Sequence, residues 1–142
     1  MPSIPALLVV CSGLIVLVFA VLHLIYTYSG RKFQPRDADL FSRMQEVSPY
    51  ISRETTMWNS GLGFHASHSI GVMLFALVYI DLAVASPQLL FHSPVLLGIG
   101  LVYLLALVAI AWRHWFSLPR RGIIVSALLY LLAVALAVVN GR

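Results

Sequence analysis

IPALLVVCSGLIVLVFAVLHLIYTY, residues 4–28, holds no charged side chain. As a helix rising 1.5 Å per residue it would reach about 38 Å, enough to cross a hydrocarbon core of about 30 Å. Three further stretches read the same way: Trp58 to Ala85, Val95 to Trp112 and Gly122 to Val139. The 142-residue chain is 61% hydrophobic and 10% charged, with mean hydropathy +0.94, whereas an ordinary soluble domain is about 25% charged. The expected fold is all-α, an integral membrane four-helix bundle forming one transmembrane domain over residues 1–142. Its helices are expected at about 4–28, 54–85, 94–115 and 121–140, spans of the length a bilayer needs. A transmembrane barrel is excluded, because its strands would alternate apolar and polar residues over about ten positions.

The first run is not expected to be a cleaved signal peptide. No Lys or Arg precedes it, and it exceeds the roughly 7 to 15 apolar residues of such peptides. Cys11 is the only cysteine, which removes disulfide frameworks, thiol–disulfide chemistry and cysteine metal clusters. It is expected to be a small core residue.

Orientation follows from charge. With four spans, the segment 29–57 and the link 113–121 share one side, and they carry Arg31, Lys32, Arg36, Arg43, Arg53, Arg113, Arg120 and Arg121. Of the nine basic side chains only Arg142 falls on the other side. Positive loops stay cytoplasmic, so both termini are expected outside. The same surplus attracts anionic headgroups. Nucleic acid is not an expected partner, because the basic residues are scattered among short links.

The links differ in kind. SPQLLFHSP (86–94) and HWFSLPRRG (114–122) are short, so successive helices should pack antiparallel. Between Pro35 and Pro49, after the helix stop expected at Gly30, Leu40, Phe41, Met44 and Val47 recur near helical spacing. This predicts an amphipathic interfacial helix over about 37–47, either a surface connector or a lid on the bundle.

RETTMWNSGLGFHASHSIG, residues 53–71, concentrates polar groups in an otherwise apolar chain. With Ser52 as helix cap, a turn of 100° per residue sets Glu54, Trp58, Gly61, His65, His68, Val72 and Tyr79 on one face. Gly63, Ser67 and Gly71 make a second stripe of small residues that would let another helix approach closely. His23 should lie near the depth of His65 and His68, and helix 3 ends at the same side with Trp112, Arg113, His114 and Trp115. Ionisable groups inside a bilayer usually face inward and serve function. The tryptophans and nearby tyrosines also fit an interfacial aromatic belt.

RKFQPRDADL, RETTMWNSGLGF and SHSIG together resemble a family of small bacterial four-helix membrane proteins to which no activity is attached. The resemblance covers most of the chain and implies a multi-pass protein of the bacterial inner membrane. Its matched positions are Phe33, Pro35, Arg36, Asp37, Glu54, Thr55, Thr56, Trp58, Gly63, Phe64, Ser67, His68, Ser69 and Gly71. The family pattern has Asn at the position of His65, which implies that His65 is not an obligatory metal ligand.

The function best suited to these residues is binding, or acting on, a lipid-like or isoprenoid small molecule by acid–base chemistry in a cytoplasmic-side pocket. His68 would be the general acid or base, since imidazole titrates near neutrality, with Glu54 or His23 setting its protonation. Trp58 would meet an apolar or cationic group, Arg53 an anionic head, and Asn59, His65, Arg113 and His114 would complete the ligand contacts. No cofactor is specified, and no metal-ligand set is assigned. The first alternative is a non-catalytic accessory or scaffold subunit whose polar stripe bonds helix to helix. The second holds haem b through His23 and His68 or His68 and His114, or a metal through His65, His68 and His23. A proton-coupled exporter is disfavoured by the lack of a carboxylate in mid-membrane. Expected partners are membrane lipids, an amphipathic small molecule, and either a membrane complex or a second copy of the chain, which Ala133 and Ala137 would permit.

Overall fold

In the computed structural model, which describes residues 3–139, those residues form six helices: α1 (Ile4–Tyr28), α2 (Ala38–Glu46), α3 (Met57–Ala85), α4 (Pro87–His92), α5 (Pro94–His114) and α6 (Ser117–Val139). Among the described residues there is no strand. Helices α1, α3, α5 and α6, of 21 to 29 residues, are long and apolar enough to cross a membrane. Each leaves large apolar side chains exposed, among them Leu14 and Val18 on α1, Leu74 and Leu77 on α3, Val102 on α5 and Leu128 on α6.

The chain divides into two compact units. One contains residues through Phe19 together with Met73 onward; the other is Ala20–Val72.

In the first unit, α5 and α6 form a hairpin across the two residues Trp115 and Phe116. The buried side of α5 carries Leu97, Leu104, Leu107 and Ala111, and that of α6 carries Ile123, Ala127, Tyr130, Ala133 and Ala137. Polar side chains within this packing are satisfied by backbone. Ser12 donates to the Ser126 carbonyl at 2.9 Å, and Ser126 returns a bond to the Ser12 carbonyl at 3.0 Å. The hydroxyl of Tyr79 donates to the Leu96 carbonyl at 2.7 Å and that of Tyr130 to the Leu97 carbonyl at 3.2 Å. Gly100 permits this arrangement, since a Cβ there would collide with the Tyr130 hydroxyl and lie 2.7 Å from the Tyr79 ring. Phe75 extends the aromatic packing to Tyr79 and Tyr103, with ring centroids 4.5 and 4.0 Å away.

The second unit holds the end of α1, all of α2 and the start of α3. Gly30 turns the chain after α1 with φ 85°, a conformation that costs glycine little. Asp37 caps α2 by accepting from the amides of Asp39 and Leu40 at 2.9 and 3.2 Å. The amide of Met57 donates to the Val47 carbonyl at 2.8 Å, closing residues 47–57 into a loop.

Several boundaries depart from the sequence expectation. Helix α3 starts at Met57 rather than 54, because Thr56 supplies the cap: its hydroxyl accepts from the Asn59 amide at 3.2 Å. The Ser52 hydroxyl accepts from Glu54 within a turn instead. Helix α6 starts at Ser117 rather than 121, since Pro119 sits in the first turn, where its missing N–H costs nothing. Pro87 and the cap residue Ser93 bracket the unanticipated short helix α4. Cys11 is exposed rather than a core residue. Ala133 and Ala137 are buried inside the chain, so they are not a surface for a second copy. Gly63, Ser67 and Gly71, expected to pack against a neighbouring helix, are exposed instead.

Candidate functional site

Three histidines converge within the Ala20–Val72 unit. His23 lies five residues before the end of α1, and His65 and His68 lie on successive positions of one α3 face. The Nε2 of His23 is 3.2 Å from the Nδ1 of His65. The His68 ring presents an edge-on contact to His23 with centroids 5.8 Å apart. Two phenylalanines complete the assembly. Phe33, from the loop after Gly30, stacks on His65 at 4.9 Å and touches His23 at 4.7 Å. Phe64 lies parallel to His68 at 6.2 Å.

The backbone beneath the cluster is held by matching bonds. Thr27 donates its hydroxyl to the His23 carbonyl at 2.8 Å, and Ser69 donates to the His65 carbonyl at 2.9 Å. Both hydroxyls stand four residues after a histidine, the spacing at which Ser and Thr bond back along a helix. Thr27 and Ser69 are buried, so His23 and His65 sit on locally fixed turns while one ring nitrogen of each meets the other imidazole.

An imidazole pair bonded in this way shares one proton, because one nitrogen donates and the other accepts. When the pair carries one further proton, the His23 imidazolium can pass its Nε2 proton across the 3.2 Å gap to His65 Nδ1, so that His23 becomes neutral and His65 becomes the acid. The cluster is therefore equipped to give or accept a proton at a polar point among apolar helices and aromatic rings.

The remaining expected site residues stand differently. Glu54 and Arg53 are exposed in the turn before α3, so Glu54 lies outside the helical register that aligned it with Trp58 and His68. Asn59 is exposed on the first turn of α3. Trp58 is half-buried and meets Phe41 of α2 edge-on, at 4.9 Å between centroids. Arg113 and His114 are the exposed last residues of α5, in the other unit. Phe33, Phe64, Thr27 and Ser69 were not singled out as site residues from sequence. The repeated spacing His23 to Thr27 and His65 to Ser69 was the available signal.

Among the described residues no group of three or more His, Cys, Asp or Glu side chains is arranged to hold a metal ion. The His23 Nε2 faces His65 and its ring is packed against Phe33, so that nitrogen could ligate a haem iron only by giving up the contact with His65. No family model, curated protein or solved structure matches the chain.

Proposed function

We propose that this is a multi-pass protein of the bacterial inner membrane, with both termini outside, that binds or transforms an amphipathic, lipid-like molecule at the histidine cluster. In this reading α1, α3, α5 and α6 are the membrane spans and α2 lies in the cytoplasmic interface. The exposed apolar side chains on all four long helices support embedding, since contiguous apolar surface of this kind needs lipid or protein to cover it. Arg31, Lys32 and Arg36 follow α1 immediately, as cytoplasmic flanks do.

The observation that carries the chemistry is the His23 to His65 contact at 3.2 Å, with His68 against the same ring. His23 and His65 exchange a proton, His68 faces the ligand as general acid or base, and Phe33 and Phe64 contact its apolar body. Glu54, Arg53 and Asn59 then belong to the polar rim rather than to the proton path. The experiment is native mass spectrometry of protein purified in mild detergent, comparing wild type with His68→Ala and His65→Phe. A defined amphiphile retained by wild type and lost in both variants is expected. Equal retention by all three proteins would overturn the assignment.

A second reading, a non-catalytic subunit of a membrane complex, is favoured by one feature: Gly63, Ser67 and Gly71 form an exposed small-residue edge on α3, suited to a helix from another chain. Co-purification of a stoichiometric partner, lost in Ser67→Leu, would favour this reading over the first.

A further inference from the structure

We infer that the α5–α6 hairpin tip is a binding site for the phosphate headgroup of an anionic membrane lipid, an inference that rests on the membrane-spanning reading above. Arg113 at the end of α5 and Arg120 and Arg121 in the first turns of α6 flank one two-residue connection. From Leu82 to Arg142 the sequence holds no Asp or Glu, so nothing along this stretch neutralises the three guanidinium groups. Arg113 and Arg121 are exposed. Arg120 is held over the Trp112 ring, 5.4 Å from its centroid, which orients one guanidinium while leaving its N–H edge to bind. Guanidinium presents paired donors that match phosphate oxygens.

The apolar surroundings select a lipid over a dissolved anion. Trp112 and Phe116 are 68% and 70% exposed, and Leu118 is 66% exposed. These side chains interrupt the basic tip with surface that water penalises and that acyl chains or the interfacial zone would cover. In contrast, the five basic residues of 31–53 share their segment with Asp37, Asp39 and Glu46, which offset three of the five charges, whereas the hairpin carries no acidic residue. Basic clusters of this kind between or beside spanning helices recognise anionic headgroups.

The test uses the full chain in nanodiscs of equal parts phosphatidylglycerol and phosphatidylcholine, stripped gradually with detergent, with retained lipid read by native mass spectrometry. Wild type is expected to keep phosphatidylglycerol in preference to phosphatidylcholine. The triple variant R113Q/R120Q/R121Q should lose that preference by about tenfold or more, as expected for three basic residues at a charged surface. The control R31Q/R36Q/R43Q removes the same formal charge and should keep the preference. Equal loss in both variants would overturn the site in favour of diffuse attraction, and so would displacement of the lipid by millimolar inorganic phosphate. If the triple variant fails to fold, R113K/R120K/R121K retains the charge without the paired donors. It should show a weakened preference, and an undiminished one would overturn the assignment. Failure of the membrane-spanning reading would appear separately, as protein that remains dispersed without detergent or lipid.

Discussion

The two units treat polar groups in apolar helices in opposite ways. In the unit built around α5 and α6, Ser12, Ser126, Tyr79 and Tyr130 all return their protons to backbone carbonyls. Such bonds fix helices against one another and leave nothing for a ligand. In the Ala20–Val72 unit, Thr27 and Ser69 do the same, but the imidazoles of His23 and His65 face each other. A packing function would be served as well by apolar side chains of similar size. The difference separates polarity that holds the fold from the polarity to which we assign the proposed chemistry.

That contrast can be broken by substitution, with stability as the first readout. The largest effect is expected for Gly100→Leu, which would drive a side chain into Tyr130 and Tyr79. Overpacking of this kind costs about 1–3 kcal/mol or more, and the variant should show a markedly lower unfolding midpoint in detergent. A smaller effect is expected for Ser12→Ala with Ser126→Ala. Each hydroxyl donates to the other residue's backbone carbonyl, which alanine retains, so each single change removes one bond and the double change should cost about their sum, about 1 kcal/mol. A midpoint unchanged by the double substitution would remove the clasp from the account of what holds this unit. The smallest effect on stability is expected for His65→Phe, below about 0.6 kcal/mol, the average for a hydrogen bond between membrane helices. A loss there as large as at Gly100 would make the cluster a structural element and end the contrast.

Phe33 sharpens the comparison further. Phe33→Leu keeps apolar bulk but removes the stacked ring over His65, a contact worth about 0.5–1.5 kcal/mol. The unfolding midpoint should fall by an amount corresponding to that range, and retention of the amphiphile should weaken by roughly three- to tenfold in this variant. Titration of ligand into delipidated protein would measure it.

The long helices were legible because apolar run length survives any packing arrangement. The span expected at 4–28 coincides with α1, and α2 falls within one residue at each end of the expected 37–47. Starts were less legible where two cap residues competed: Ser52 and Thr56 are both acceptable caps, and the Thr56 hydroxyl in bond with Asn59 decided for α3. That shift of three residues also moved Glu54 from a helical stripe into a turn. The meeting of His65 and His68 with His23 was readable from register and depth. Phe33 was not, because it arrives from a loop whose direction depends on Gly30 at φ 85°, and periodicity carries no information about such a turn. Similarly, the spacing of Gly63, Ser67 and Gly71 predicts a close-packing edge, but the three are exposed, because spacing carries no information on whether a helix lies against them.

The most direct measurement is nitrogen NMR on histidine-labelled protein in detergent, looking for scalar coupling across the bond between His23 Nε2 and His65 Nδ1. The coupling should be present in wild type, vanish in His65→Phe, and change when the retained amphiphile is stripped and restored. A spectrum with no coupling, and histidine signals indifferent to the amphiphile, would contradict the assignment of this cluster as the functional centre.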